Sequence, residues 1–194
     1  MVSLKEYKWN WLGKLTAILV TLIVLVVLPK ALREETGILN LPKCNNWKLV
    51  IAVSAGLLTF FWSASYATRD GSLATLEYYA FQSIMPSVDE EFLYRGTVIA
   101  MLVAAFGKNY SLAGVRIGWG ALPIIAFFGL LHGYQILLAD GPIDYSLMLT
   151  TVFVTGVAGA GLLWIKEMTS SVWICVVMHS LMNLGNGFFN HFTP

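Results

Sequence analysis

Three short polar groups interrupt an otherwise apolar chain: Glu90-Glu91-Phe-Leu-Tyr-Arg95, Phe128-Gly-Leu-Leu-His132 and His179-Ser-Leu-Met-Asn183. Each falls in or beside a run apolar enough to cross a bilayer, where an ionisable side chain costs on the order of 3 kcal/mol to insert. A carboxylate and an imidazole sharing a water-poor cavity can take a proton from water. An imidazole N–H and an amide NH₂ aimed at one point can hold the oxyanion of a tetrahedral intermediate. The set suits peptide hydrolysis by activated water.

Spacing divides the labour. Glu91 and Arg95 stand four apart, in the order that favours an ion pair within a helix. Neighbouring residues point about 100° apart on a helix, so Glu90 cannot share that pair equally and is free to face a cavity. Plainer readings exist for each group. Ser87-Val-Asp-Glu90 fits a capping box, with Pro86 in the first helical turn. His132 alone could simply pack against Phe128, and Asn183 could bridge two helices. Together these readings must explain a carboxylate, two imidazoles and an amide on three helices of one small domain.

Other chemistries fit less well. Two histidines and a glutamate could bind zinc, but the His-Glu-x-x-His helix is missing. No metal or other cofactor is expected. No Gly-x-Ser-x-Gly turn is present, although Ser180 and Cys175 lie near His179. Cys44 and Cys175 form no disulfide framework, and Cys175 reads as a small buried hydrophobe. His191, near the C-terminus, reads as solvated or interfacial.

These residues need helices to hold them. Of the 194 residues, 57% are hydrophobic and only 12% charged, with a mean hydropathy of +0.70. Soluble domains carry roughly 25% charged residues, so the chain lacks a soluble surface. Its net charge of +1 gives no reason to expect nucleic acid as a partner. The expected fold is all-α: one domain, residues 1–194, forming a polytopic bundle of about six spans (five to seven at roughly 20 residues each) around an intramembrane polar cavity.

The predicted spans are Trp11–Leu28, Leu49–Thr68, Pro86–Phe106, Ile117–Ala139, Tyr145–Ile165 and a last one from about Ser170, fraying at Gly185-Asn186-Gly187. Residues 29–48 read as a polar loop. Residues 70–85 read as an interfacial helix or the lower half of a longer span. Lys5, Lys8 and Lys14 precede the first apolar run, but no small-x-small site follows it, so it reads as a retained anchor. Lys30, Arg33, Lys43, Lys48, Lys108, Arg116 and Lys166 outnumber Lys5, Lys8, Lys14 and Arg69 in alternate loops, which leans the 29–48 loop toward the cytoplasm. Gly129-x-x-x-Gly133 and the Gly156, Gly159, Ala160, Gly161 stripe predict close helix packing. Residues 1–84 read as generic membrane sequence and 85–190 as the motif-bearing core.

The three motifs, in this order, resemble the CAAX protease and bacteriocin-processing (Abi) family, whose eukaryotic relatives are the type II CAAX prenyl endopeptidases. The family pattern Glu-Glu-x-x-x-Arg, Phe-x-x-x-His and His-x-x-x-Asn is matched throughout. The resemblance implies an intramembrane glutamic protease that requires no metal. Glu90 and His132 would activate water, and His179 and Asn183 would hold the oxyanion. Glu91, Arg95 and Phe128 would support them. It implies a multi-pass protein, compact enough for a prokaryotic plasma membrane. Its partners would be the lipid bilayer and a peptide or protein with a membrane-associated end. A peptide-binding immunity or scaffold protein is the alternative. A small transporter is disfavoured because no internal repeat is evident.

Overall fold

The computed structural model describes residues 9–69, 75–138 and 142–191. Lys5, Lys8, Asp140, Gly141 and the side chain of His191 lie outside the described residues. Helix α1 (Trp11–Val27) leads through a short α2 (Lys30–Thr36) to α3 (Trp47–Ala67). Helix α4 (Leu76–Glu90) then continues through a π-helical segment (Glu91–Val98) into α5 (Ile99–Phe106). An antiparallel hairpin, β1 (Tyr110–Leu112) and β2 (Val115–Ile117), precedes α6 (Ala121–Leu137), α7 (Tyr145–Thr169) and α8 (Trp173–His191).

Local chemistry sets the helix ends. The side chains of Asn10, Asn46, Thr75 and Asp144 accept the backbone N–H three residues on, opening α1, α3, α4 and α7. These are the residue types that satisfy orphan N-terminal donors. Gly37 and Gly107, both at φ 71°, follow α2 and α5, where a side chain would strain the backbone. The hairpin turns on Ala113 and Gly114, both with positive φ, as a two-residue primed turn requires.

The structure corrects several sequence expectations. The third span does not start at Pro86 with a Ser87 cap: Thr75 is the cap, and Pro86 is buried inside α4. Residues 76–85 are thus the lower half of a longer helix. Proline removes a backbone donor and frees the carbonyl four residues earlier. That carbonyl, on Gln82, accepts the Asn183 amide at 3.0 Å, so the neighbouring helix repairs the break. The last helix does not fray at Gly185-Asn186-Gly187 but runs to His191. There Gly185 lies against the Trp62 indole, and Gly187 against Tyr78 and Tyr79. The missing side chains make room for aromatic packing. Helix α2 lies within the expected 29–48 loop, and the hairpin fills the stretch between the expected spans Pro86–Phe106 and Ile117–Ala139, reaching Ile117; helix and strands, at 7, 3 and 3 residues, are too short to show a hydrophobic period.

The packing separates a tied end from an open one. Val50 of α3, Ala158 and Leu162 of α7, and Met178 and Met182 of α8 share one buried cluster. Helices α6 and α7 approach closely where Gly129 faces Val152 and Gly156, and where Gly133 faces Val152 and Met148, as small residues permit. Beyond them the 37–46 segment is laced to the α7–α8 turn. Lys43 N–H donates to Thr169 O at 2.8 Å, Val172 N–H to Gly37 O at 3.2 Å and Trp173 Nε1 to Ile38 O at 2.8 Å.

Four charges close a ring at this tied end. Lys108 Nζ lies 2.6 Å from both Glu35 and Glu167, and Lys166 Nζ lies 3.3 Å and 2.9 Å from the same two carboxylates. Burial alone would raise the Glu35 carboxyl, but Lys166 and Lys108 hold it below its usual range. Such a group stabilises the fold above its unfolded pKa, and that stability is lost as pH falls through the folded value. Glu167→Gln, which leaves the buried Lys166 short of a partner, should destabilise by about 3 kcal/mol. Glu35→Gln should lower the unfolding temperature at neutral pH and flatten its decline below about pH 4.3. Thermal unfolding in detergent across a pH series checks both.

Candidate active site

The π-helical segment carries the first motif from Glu91 onward, with Glu90 closing α4, and opens a wider turn than an α-helix, a feature often found at functional sites. Glu91 and Arg95, both in that segment, are almost wholly buried at 0% and 1% exposure. Arg95 Nη1 donates to Glu91 Oε1 at 3.1 Å. The guanidinium carbon also lies 3.9 Å from the centre of the Phe128 ring, so the cation is stacked as well as paired. Phe128 in turn meets the His132 ring at 4.5 Å and the His179 ring at 6.3 Å between centroids. One aromatic ring thus touches a member of all three motifs.

The two histidines are each oriented through Nδ1. His132 Nδ1 lies 2.8 Å from Phe128 O. A carbonyl only accepts, so this nitrogen carries the proton and a neutral ring presents Nε2 as an acceptor. His179 Nδ1 lies 2.8 Å from Glu91 Oε1, the oxygen that also receives Arg95. This nitrogen is again the donor, and the neutral His179 ring has no N–H on Nε2. It donates there only as an imidazolium.

Glu90 turns away from this network, as the helical offset requires. Its Oε1 accepts from Lys14 Nζ at 2.9 Å, while its Oε2 stands 3.9 Å from His132 Nε2. A separation of 3.9 Å is too long for a direct hydrogen bond and suits one bridging water. Glu90, His132, His179 and Asn183 all line a cavity of about 460 Å³, whereas Glu91 and Arg95 lie behind its wall. The cavity reaches Gln82 of α4, Gln135 of α6, Thr150 of α7 and Asn186 of α8, at the end of the bundle opposite the charged ring. It is enclosed by more helices than the three carrying motifs, since Ser65 of α3 and Thr155 of α7 also line it.

The family model for type II CAAX prenyl endopeptidase Rce1-like proteins matches residues 72–185, more than half of the chain. The chain belongs to that family. No curated protein and no solved structure matches it. Members of the Rce1-like family are membrane-integral helical proteins, in keeping with the composition of this one. All three motifs fall within the matched residues.

Several cavity residues of this Rce1-like chain escaped the sequence reading. Lys14 of α1 was counted only as a flanking charge, yet it contacts Asp89 Oδ2 at 2.8 Å as well as Glu90. Its position inside a helix that is otherwise apolar was the available signal, because a charge within a span needs a partner. Gln82 carried no signal of its own; its carbonyl matters because Pro86 lies four residues on. Cys175 is fully buried, with its Sγ donating to Leu162 O at 3.1 Å, and is not part of the cavity wall. Ser180 does not line the cavity either.

Glycines in α7 separate tolerance from need. A Cβ on Gly159 would meet Arg95 Nη2 at 3.1 Å and Phe128 Cδ1 at 3.3 Å, whereas one on Gly156 would meet nothing within 4 Å. Gly159→Val should therefore displace the Arg95–Phe128 stack and destabilise by roughly 1–3 kcal/mol. Gly156→Ala should be neutral or slightly stabilising through helix propensity. Unfolding midpoints of the two variants in the same detergent check the contrast.

Proposed function

We propose that this Rce1-like chain is an intramembrane endopeptidase that cleaves near the end of a membrane-associated or lipid-modified peptide. The carrying observation is the 3.9 Å gap between Glu90 Oε2 and His132 Nε2, opening on the cavity that His179 and Asn183 also line. A water in that gap donates one proton toward the carboxylate and one toward the unprotonated imidazole nitrogen. Abstraction of the first proton generates the nucleophile for the scissile carbonyl. The same proton then goes to the leaving amine.

The oxyanion is held from α8. Asn183 has two amide protons and uses one on Gln82 O, so the second is available to the substrate oxygen. His179 contributes from Nε2 as an imidazolium. Glu91, Arg95 and Phe128 are the supporting residues, since they orient His179 and back His132. No metal enters this scheme.

Shape and setting support this substrate class. A volume of 460 Å³ is of the size that takes small ligands (about 300–1,000 Å³) and accommodates a short peptide segment. Helices α3 and α7, at 21 and 25 residues, are long and apolar enough to cross a membrane, reaching about 31 and 37 Å. Helices α1 and α6 are apolar but shorter. With the continuous 76–106 helix and α8 they make the six proposed crossings, and the cavity then lies within the lipid layer. An extended peptide end enters from the open end of the bundle, where water also enters.

Glu90→Gln should abolish cleavage of a fluorogenic farnesyl-cysteine peptide while the protein remains folded and inserted. A loss of at least about 100-fold is expected for removing a general base. Normal turnover by purified Glu90→Gln protein would overturn the proposal, and an unchanged peptide mass with the wild-type protein would favour a binder over a hydrolase. Full activity in the presence of a chelator is expected as well.

A further inference from the structure

We infer that α1, which lies outside the family-matched residues, completes the site: Lys14 is a positioning residue for Glu90. The inference rests on the reading of Glu90 as the general base.

Three observations carry it. Lys14 Nζ sits 2.8 Å from Asp89 Oδ2 and 2.9 Å from Glu90 Oε1, and it lines the same cavity as His132 and His179. A carboxylate bound through one oxygen has its rotation fixed. Here the bound oxygen is Oε1, and Oε2 is left facing His132. Without the lysine, two adjacent carboxylates would share a poorly solvated wall, and Glu90 would have no group fixing which oxygen it presents.

The second observation is that α1 is fastened to α4 over two further turns. Trp9 stacks on Phe81 at 5.4 Å, Trp11 meets the same ring edge-on at 5.1 Å, and Trp11 Nε1 donates to Glu77 Oε1 at 3.2 Å. Lys14 is therefore delivered from a docked helix. The third is exposure: the Lys14 side chain is 25% exposed, so an ammonium whose stem crosses an apolar helix face ends on two carboxylates instead of reaching away to water. A lysine that only flanked a span would extend to the interface.

Chemically, Lys14 acts through Glu90 and touches no reacting atom. Its loss should misdirect the base without weakening peptide binding. A misplacement of about 1 Å can cost on the order of 100-fold in rate. Lys14→Met should thus lower kcat on the farnesyl-cysteine peptide by about that factor and leave KM within about twofold, the pattern of an interaction made only in the transition state. Lys14→Arg, which restores a cation of similar reach, should recover most of kcat.

A purely structural role predicts something different. If Lys14 only neutralises Asp89, then Asp89→Asn in the Lys14→Met background should restore both the unfolding temperature and kcat. The positioning role predicts that this double variant recovers its unfolding temperature but stays slow at unchanged KM. Full kcat in the double variant, or equal losses in Lys14→Arg and Lys14→Met, would overturn the inference. Glu90→Gln run alongside keeps the two ideas apart: if it remains active, the reading of the base fails, and if it is dead while the double variant is fast, only the role of Lys14 fails.

Discussion

A single buried carboxylate oxygen, Glu91 Oε1, holds the site together. It accepts from Arg95 at 3.1 Å and from His179 at 2.8 Å, joining the 91–98 helical segment to α8. Glu91 has no exposure at all, so only protein can meet its charge: Oε1 takes both donors, and Oε2 is buried without a hydrogen-bond partner. An ion pair in such a place contributes little net stability, because desolvation offsets most of the attraction. What it fixes is geometry. With both partners on one oxygen, the His179 ring has one orientation and presents Nε2 to the cavity. Arg95, in turn, cannot leave Phe128 without breaking the pair, and Phe128 is the carbonyl that orients His132. Both imidazoles therefore inherit their orientation from neighbours: His179 from Glu91, behind the cavity wall, and His132 from Phe128, which is part of it.

Backbone irregularity serves the same end. Pro86 and the π-helical segment fall within one continuous helix, five residues apart. Each would weaken an isolated helix by leaving carbonyls unmet. Here the carbonyl freed by Pro86 is taken by Asn183, one of the two residues proposed to hold the oxyanion. The repair of the helix and the placement of the amide are thus one hydrogen bond. Change at either end would be felt at the other, which couples folding of α4 to the position of the Asn183 amide on α8.

The sequence disclosed the three motifs and their local geometry better than the frame that carries them. The three motifs are local, and residues four apart on a helix share a face whatever surrounds them, so the Glu91–Arg95 pair and the separate heading of Glu90 follow from spacing alone. The helices were legible for a related reason: a run of about 20 apolar residues is long enough to read without periodicity. What stayed hidden was relational. Nothing in Lys14 itself says that α1 will dock beside Asp89 and Glu90, 75 and 76 residues on. Pro86 was read as a helix start because proline favours the first turn, and only the donor on another helix makes it tolerable deeper in. Short elements failed for want of length: α2 and the β1–β2 hairpin show no period to find.

The two ends of the bundle solve opposite problems with the same residue types. At the tied end two lysines and two glutamates alternate in a closed ring, so the formal charges cancel and no oxygen need be left over for a ligand. At the site, two cations, Lys14 and Arg95, face three carboxylates, Asp89, Glu90 and Glu91. The excess is one negative charge, and Asp89 Oδ1, Glu90 Oε2 and Glu91 Oε2 are each buried without a hydrogen-bond partner; of the three, Glu90 Oε2 stands 3.9 Å from His132. In a poorly solvated setting an unmet acceptor is costly, and the proposed role of Glu90 as a base would give this one a proton-donating water as its partner.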